Sequence, residues 1–355
     1  MKSSLEHFLS RTPRRFKAFV EETMELLRRL GEQTLLAYPV ERSGMIDVII
    51  GSELTINASV KWRPSTQEYR ITIEWGTFIW AYRLCCFMAS LDAEQENSFA
   101  GERIFATNFT ADNVERVLEL LVQADQQFLE EQTGFGRYIF KTILIAVFYH
   151  EIAHILGGHL GLLSQEITLD SIQIDELSFG EISKEPLSGR FPVAVYEYDA
   201  DRLSGLLIAN LAANQTPSIY EWSLNKFDRN IVFSLWSLSM YALSTIETRK
   251  LAEGYSKSRY PSPFLRFSSI MSGITSALNI KGYDNSTSDN ICIGCLSILA
   301  HYELHYPIVG EFRDFTDVRW RKTLEVEVEE LLSDYYSFHI AAASHAAYRH
   351  ALFSD

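Results

Sequence analysis

The residues best suited to chemistry are His150, Glu151 and His154, in the run His150-Glu151-Ile152-Ala153-His154. The run has the form HExxH. On a helix a four-residue step turns ~400°, so the two imidazoles project from one face about a turn apart. That spacing lets both bind one zinc ion, with Glu151 beside the attacking water as general base. Leu144, Ile145, Val147 and Phe148 precede the motif, so its helix enters a core. Gly157 and Gly158 follow, where such a helix can end or turn.

Catalytic zinc takes three protein ligands and keeps one position open. His159, Glu197 and Asp201 are the candidates for the third. The longer pattern HExxHxxGxxH needs a histidine at position 160; Leu160 stands there, which argues against a metzincin arrangement. Glu197 and Asp201 are four apart in Tyr196-Glu197-Tyr198-Asp199-Ala200-Asp201 and share a helical face, while Asp199 points elsewhere. With HExxH upstream, a crossing helix can give Glu197 to the metal and Asp201 to the outer nitrogen of a ligand histidine. A carboxylate in that place fixes the tautomer and raises the basicity of the ligand. His159 reads as a structural residue or as a support behind the ligands.

HExxH followed by a helix with ExxxD resembles the gluzincin metallopeptidases. The Glu-Tyr-Asp-Ala-Asp form is similar to the ExxAD segment of the HtpX-like and CAAX-prenyl-type proteases, which are multi-span membrane proteins. In a chain without their spans, His150–His154 with Tyr196–Asp201 more closely resembles the phage-exclusion peptidase Lit family. The resemblance covers roughly residues 140–205. It implies a zincin-like fold, a Zn2+ cofactor, and cleavage of a host translation elongation factor during phage infection. A second similarity is Tyr260-Pro261-Ser262-Pro263-Phe264-Leu265-Arg266, against an HPxxxxR segment in the HtpX and CAAX relatives. There the histidine faces the oxyanion of the transition state. Tyr260 replaces it here, and its phenol can donate the same hydrogen bond; Arg266 is the other candidate for that role.

The elements that must position these residues follow from periodicity. Phe16, Phe19, Val20, Leu27 and Leu30 mark an amphipathic helix over residues 14–36. Alternation at Leu54–Trp62 and Tyr69–Trp75, broken at Arg63–Thr66, marks a β-hairpin, with Met45–Ile50 as a third strand. One hairpin strand is expected to be the sheet edge that pairs with an extended substrate. Helices are expected from Thr77 onward, after Asp112, over 137–160, and over 192–212 with Pro192 in the first turn. Others are expected at 218–248, 262–279, 288–304 and 316–350. Residues 164–190 read as a loop or irregular excursion.

The fold class expected is therefore α+β, zincin-like, mainly helical with a small N-terminal sheet. The segments are an upper lobe at 1–135, the zinc-binding helices at 136–215 and a helical lobe at 216–355. The chain has 355 residues, enough for a substantial core. With 32 basic and 46 acidic residues the net charge is −14, which argues against a general nucleic-acid binder. No apolar stretch follows the basic N-terminal residues, so no signal peptide is expected. The nearest approach to a membrane span is Asn230–Ile246, diluted by serines. Four cysteines form no disulfide framework, so a cytoplasmic location is the default. Cys292-Ile-Gly-Cys295, the pair His301 and His305, and the C-terminal histidines read as structural. The partner expected is a protein substrate.

Overall fold

The computed structural model describes residues 2–37, 45–54, 57–63, 66, 68–91, 114–127, 133–166, 172–175, 191–213, 263–280 and 318–343. The expected helices at 218–248 and 288–304 lie outside them, as do Asp112, Tyr260, Cys292, Cys295, His301 and His305. What is described is mainly helical with one small sheet, an α+β arrangement. The helices are α1 (Lys2–Arg11), α2 (Arg14–Ala37), α3 (Trp75–Leu91), α4 (Val114–Gln127), α5 (Thr133–Leu156), α6 (His159–Glu166), α7 (Val193–Ala213), α8 (Pro263–Ile280) and α9 (Val318–Ala343). The strands are β1 (Met45–Ile50), β2 (Ala58–Arg63), β3 (Glu68–Ile73) and β4 (Ile172–Asp175).

The sheet order is β1-β3-β2-β4. β2 and β3 form the expected antiparallel hairpin, with Val60 opposite Ile71 and Trp62 opposite Tyr69. The Trp62 and Tyr69 rings pack with centroids 4.5 Å apart. In β3 burial alternates, with Tyr69, Ile71 and Ile73 inside, as a strand with one face on a core requires. β1 lies parallel to β3 and so joins on the far side from β2. The chain crosses over at residues 51–57. Gly51 N–H donates to Ile73 C=O at 2.9 Å, and Asn57 N–H to Thr77 Oγ1 at 2.8 Å.

Two expectations are corrected here. Neither hairpin strand is an edge, because β1 covers β3 and β4 covers β2. The edges among the described residues are β1 and β4. The segment 164–190 is also not wholly irregular: Ile172–Asp175 pairs antiparallel with Ser59–Trp62. Four residues carry too little periodicity to announce a strand; a long-range partner makes it one. The N-terminal α1, which the periodicity did not mark, places Phe8 in the core.

α5 is the central element. It packs against α2, α3, α7 and the sheet. Residues Ile143–Phe148 are at most 1% exposed, so the helix is apolar on every side because every side is covered. The stretch Gly136–Leu156 is long and apolar enough to cross a membrane, and 94% of its most apolar window is buried within the protein. That burial is what a core helix shows. One cluster of buried side chains runs from Phe8 to Ala342 and draws on all three sequence segments.

Candidate metal centre

α5 brings His150 and His154 onto one face, with ring centroids 4.9 Å apart. The helix ends where the glycines predicted. Gly157 N–H closes on Ala153 C=O at 2.7 Å, and Gly158 takes φ 75°, the left-handed conformation that glycine adopts without penalty. Leu162 N–H then donates to Gly158 C=O at 3.0 Å, and the chain continues as α6. The expected single helix over 137–160 is thus two, with His159 opening the second.

α7 crosses this face, its first turn begun by Val195 N–H donating to Pro192 C=O at 3.1 Å. Glu197 meets both histidines. His150 Nε2 and His154 Nε2 are 3.2 Å apart. Glu197 Oε2 is 3.2 Å from His150 Nε2, and Oε1 is 3.7 Å from His154 Nε2. Two donors held ~2.0–2.1 Å from a tetrahedral zinc stand about 3.3–3.4 Å from each other. One ligand atom from each of the three residues lies within 4.8 Å of the other two, close enough for the set to hold one small cation. All three residues are 0% exposed, and neither oxygen of Glu197 has a hydrogen-bond partner among the described residues. A buried carboxylate without hydrogen bonds is costly unless a cation takes its lone pairs. The residues fit a metal ion; two imidazoles with one carboxylate are a donor set that several divalent metals take.

Asp201, one turn beyond Glu197, stands behind the candidate ligands. Its Oδ1 lies 2.9 Å from His150 Nδ1. Its own position is set from α8. Arg266 Nε donates to Asp201 Oδ2 at 2.8 Å, and Nη2 to Oδ1 at 2.9 Å. This two-pronged contact is buried, Arg266 being 1% and Asp201 0% exposed. Arg266 is therefore engaged with Asp201, and its Nη2 is 3.7 Å from Glu197 Oε2. α7 and α8 come close enough for this because glycines face each other's backbone. A Cβ on Gly205 would stand 2.2 Å from Ile270 O, and one on Gly273 2.0 Å from Arg202 O.

The electrostatics follow from this packing. Burial raises the Asp201 pKa, but the Arg266 guanidinium and His150 together outweigh it and hold the carboxyl below its ordinary value. Burial works against a charged His150, yet Asp201 and Glu197 beside it hold its pKa well above the usual range. Burial, then neighbouring His150 and His159, push His154 well below that range. An uncharged imidazole is the form that binds a metal.

Of the sequence candidates, then, His150, His154, Glu197, Asp201 and Arg266 are brought together, and Glu151 is buried on the same helix at 0% exposure. Tyr260 lies outside the described residues. His159 makes no approach to Glu197 of the kind His150 and His154 make; its ring stands behind His154, with Nδ1 2.8 Å from His154 Nδ1. Asp199, read from the helical wheel as pointing elsewhere, is buried against His159, its Oδ2 3.1 Å from Nε2. Its signal in the sequence was an acidic residue on the apolar α7, opposite Glu197. Comparison with protein-family models, with curated proteins and with solved structures gives no match.

Proposed function

We propose that the protein is a zincin-like, zinc-dependent endopeptidase. The observation that carries this reading is the buried cluster of donor atoms on His150, His154 and Glu197, brought together by two crossing helices with Glu151 adjacent in sequence. His150, His154 and Glu197 would hold the ion, leaving its fourth position open. When bound, zinc supplies Lewis acidity that lowers the pKa of water and polarises a carbonyl.

The chain's own residues supply the rest. Glu151 takes the proton from the attacking water and passes it to the leaving amine, the general base and then acid of the reaction. Asp201, held by Arg266, keeps His150 in the orientation that offers Nε2 to the metal. The Tyr260 phenol is the proposed donor to the developing oxyanion. The resemblance to the Lit family supports a folded host protein, an elongation factor, as substrate, and a role in phage exclusion inside the cell.

The test is a matched pair. Wild-type protein and Glu151→Gln are expressed at equal levels and new protein N-termini are mapped across the cell. Cleavage products present only with the wild type support the peptidase. Stoichiometric zinc in both forms with no difference in products would favour a silent zincin-fold binding protein.

A further inference from the structure

His154 has a second ring nitrogen, and the fold has built a chain of hydrogen bonds behind it. Nδ1 of His154 faces Nδ1 of His159 at 2.8 Å. On the far side of that ring, Nε2 lies 3.1 Å from Asp199 Oδ2. The other Asp199 oxygen accepts from the Tyr335 hydroxyl at 2.8 Å. Arg202 Nη1 donates to that hydroxyl at 3.3 Å. His154 and His159 are 0% exposed and Asp199 is 1% exposed, so water does not compete for these contacts.

The protons in this chain have one consistent arrangement once His154 Nε2 is committed to a metal. His154 must then carry its proton on Nδ1 and donate it to His159 Nδ1. His159, accepting there, carries its proton on Nε2 and donates to Asp199. Asp199, ionised, accepts from both His159 and Tyr335. No donor faces a donor anywhere along the path. With the His154 proton on Nε2 instead, the ring would turn a donor toward His150 and Glu197 and lose its function as a ligand.

The His159 ring is also clamped sterically. Tyr196 and Phe338 meet it edge-on, with centroids 5.5 and 5.4 Å away. Gly157 leaves the space it occupies, since a Cβ there would stand 2.6 Å from His159 Nε2. α7 thus serves both metal-binding histidines: Asp201 acts on His150 directly, and Asp199 acts on His154 through an interposed imidazole.

We propose that His159, Asp199 and Tyr335 are positioning residues for the metal ligand His154, making the C-terminal helix α9 part of the metal centre. The inference rests on the metal-centre reading above. It assigns His159 a role in metal affinity and ligand geometry, where a purely structural role would affect folding alone.

The experiment measures zinc affinity of the full chain by competition with a chromogenic chelator, and the visible spectrum of the Co2+-substituted protein. His159→Phe keeps the ring's bulk and removes both nitrogens. It should weaken zinc binding by roughly 10–100-fold, as losses of such outer hydrogen bonds do, and shift the Co2+ bands. His159→Asn puts an amide oxygen near the place of Nδ1 and should recover part of that loss. Tyr335→Phe removes one hydroxyl and should weaken zinc in the same direction by less. A folded His159→Phe with wild-type zinc affinity and an unchanged Co2+ spectrum overturns the proposal. If that variant does not fold, Tyr335→Phe decides, and unchanged affinity and spectrum there overturn it equally. Failure of the underlying reading looks different: the wild type itself would take up no stoichiometric zinc, which sinks both.

Discussion

Glu197 carries a fully buried carboxylate with no hydrogen bond among the described residues, beside two imidazole nitrogens. Glu197→Ala should therefore cost most of the zinc affinity, and His150→Ala or His154→Ala should abolish stoichiometric zinc, read by metal analysis after dialysis. Glu151→Gln should retain zinc and lose roughly 10²–10⁴-fold in cleavage rate, because an amide cannot accept the water's proton. Full activity in that variant would end the hydrolytic mechanism. Asp201→Asn should weaken zinc on the order of 10–100-fold. Arg266→Met leaves the buried Asp201 without its two-pronged partner, with His150 alone beside it, and should destabilise the protein by up to about 3–5 kcal/mol in urea unfolding. The pH dependence follows from His150. Its folded pKa is raised, so in metal-free protein its stabilising contribution is complete below about pH 6.5 and fades as pH rises through the raised value. Zinc has the opposite slope, since it must displace that proton. The increase in Tm on adding zinc should grow between roughly pH 6 and 8. A flat increment would remove His150 from the ligand set.

The crossing of α7 and α8 decides whether those residues meet. Gly205 and Gly273 each lie where a Cβ would press into backbone oxygen, which cannot swing aside as a side chain can. Gly273→Ala should push the helices apart, cost about 1–3 kcal/mol as overpacking does, and lower zinc affinity as Arg266 loses its grip on Asp201. Gly31→Ala is the control: its Cβ would meet Ile46 and Phe148 at 3.5–3.6 Å, ordinary contact, and the change should be neutral or mildly stabilising. Equal effects from the two would dismiss the crossing as a determinant of the site. What could be read from the sequence divides along the same line. HExxH and the pair Glu197 and Asp201 were legible because both members of each pair lie within one helical turn, where spacing dictates facing. The hairpin was legible from alternation. The order β1-β3-β2-β4 was not, since it depends on a crossover at 51–57 and on a short strand arriving from a hundred residues downstream. Asp199 does point away from Glu197, as the helical wheel has it, but its partners there were not legible, since His159 of α6 and Tyr335 of α9 reach it only through the packing of distant elements.

On the scale of the whole molecule, the centre is closed. His150, Glu151, His154 and Glu197 are all 0% exposed, so no polypeptide reaches the proposed nucleophile in this conformation. Under the proposed peptidase reading, cleavage must wait on an opening, and binding energy from a large partner is the natural source for it. A substrate of a few residues buries too little surface to meet that cost, whereas a folded protein docks over a standard interface of about 1,600 Å². A net charge of −14 further favours a partner with a basic face over generic peptides of any sequence. The expected outcome is weak turnover of unstructured casein or short peptides, set against strong Glu151-dependent cleavage of one or a few host proteins when the trigger is present. Cells carrying the wild type should arrest growth on infection and yield fewer phage; cells with Glu151→Gln should not. The measurement follows plaque number and protein cleavage together across a phage panel. Rapid digestion of casein by the purified protein would show that the centre opens without a docked partner, and would leave a general metallopeptidase. Equal plaque numbers in both strains, with no new cleavage product, would remove the phage-exclusion role while the zinc chemistry of His150, His154 and Glu197 stood or fell on its own measurements.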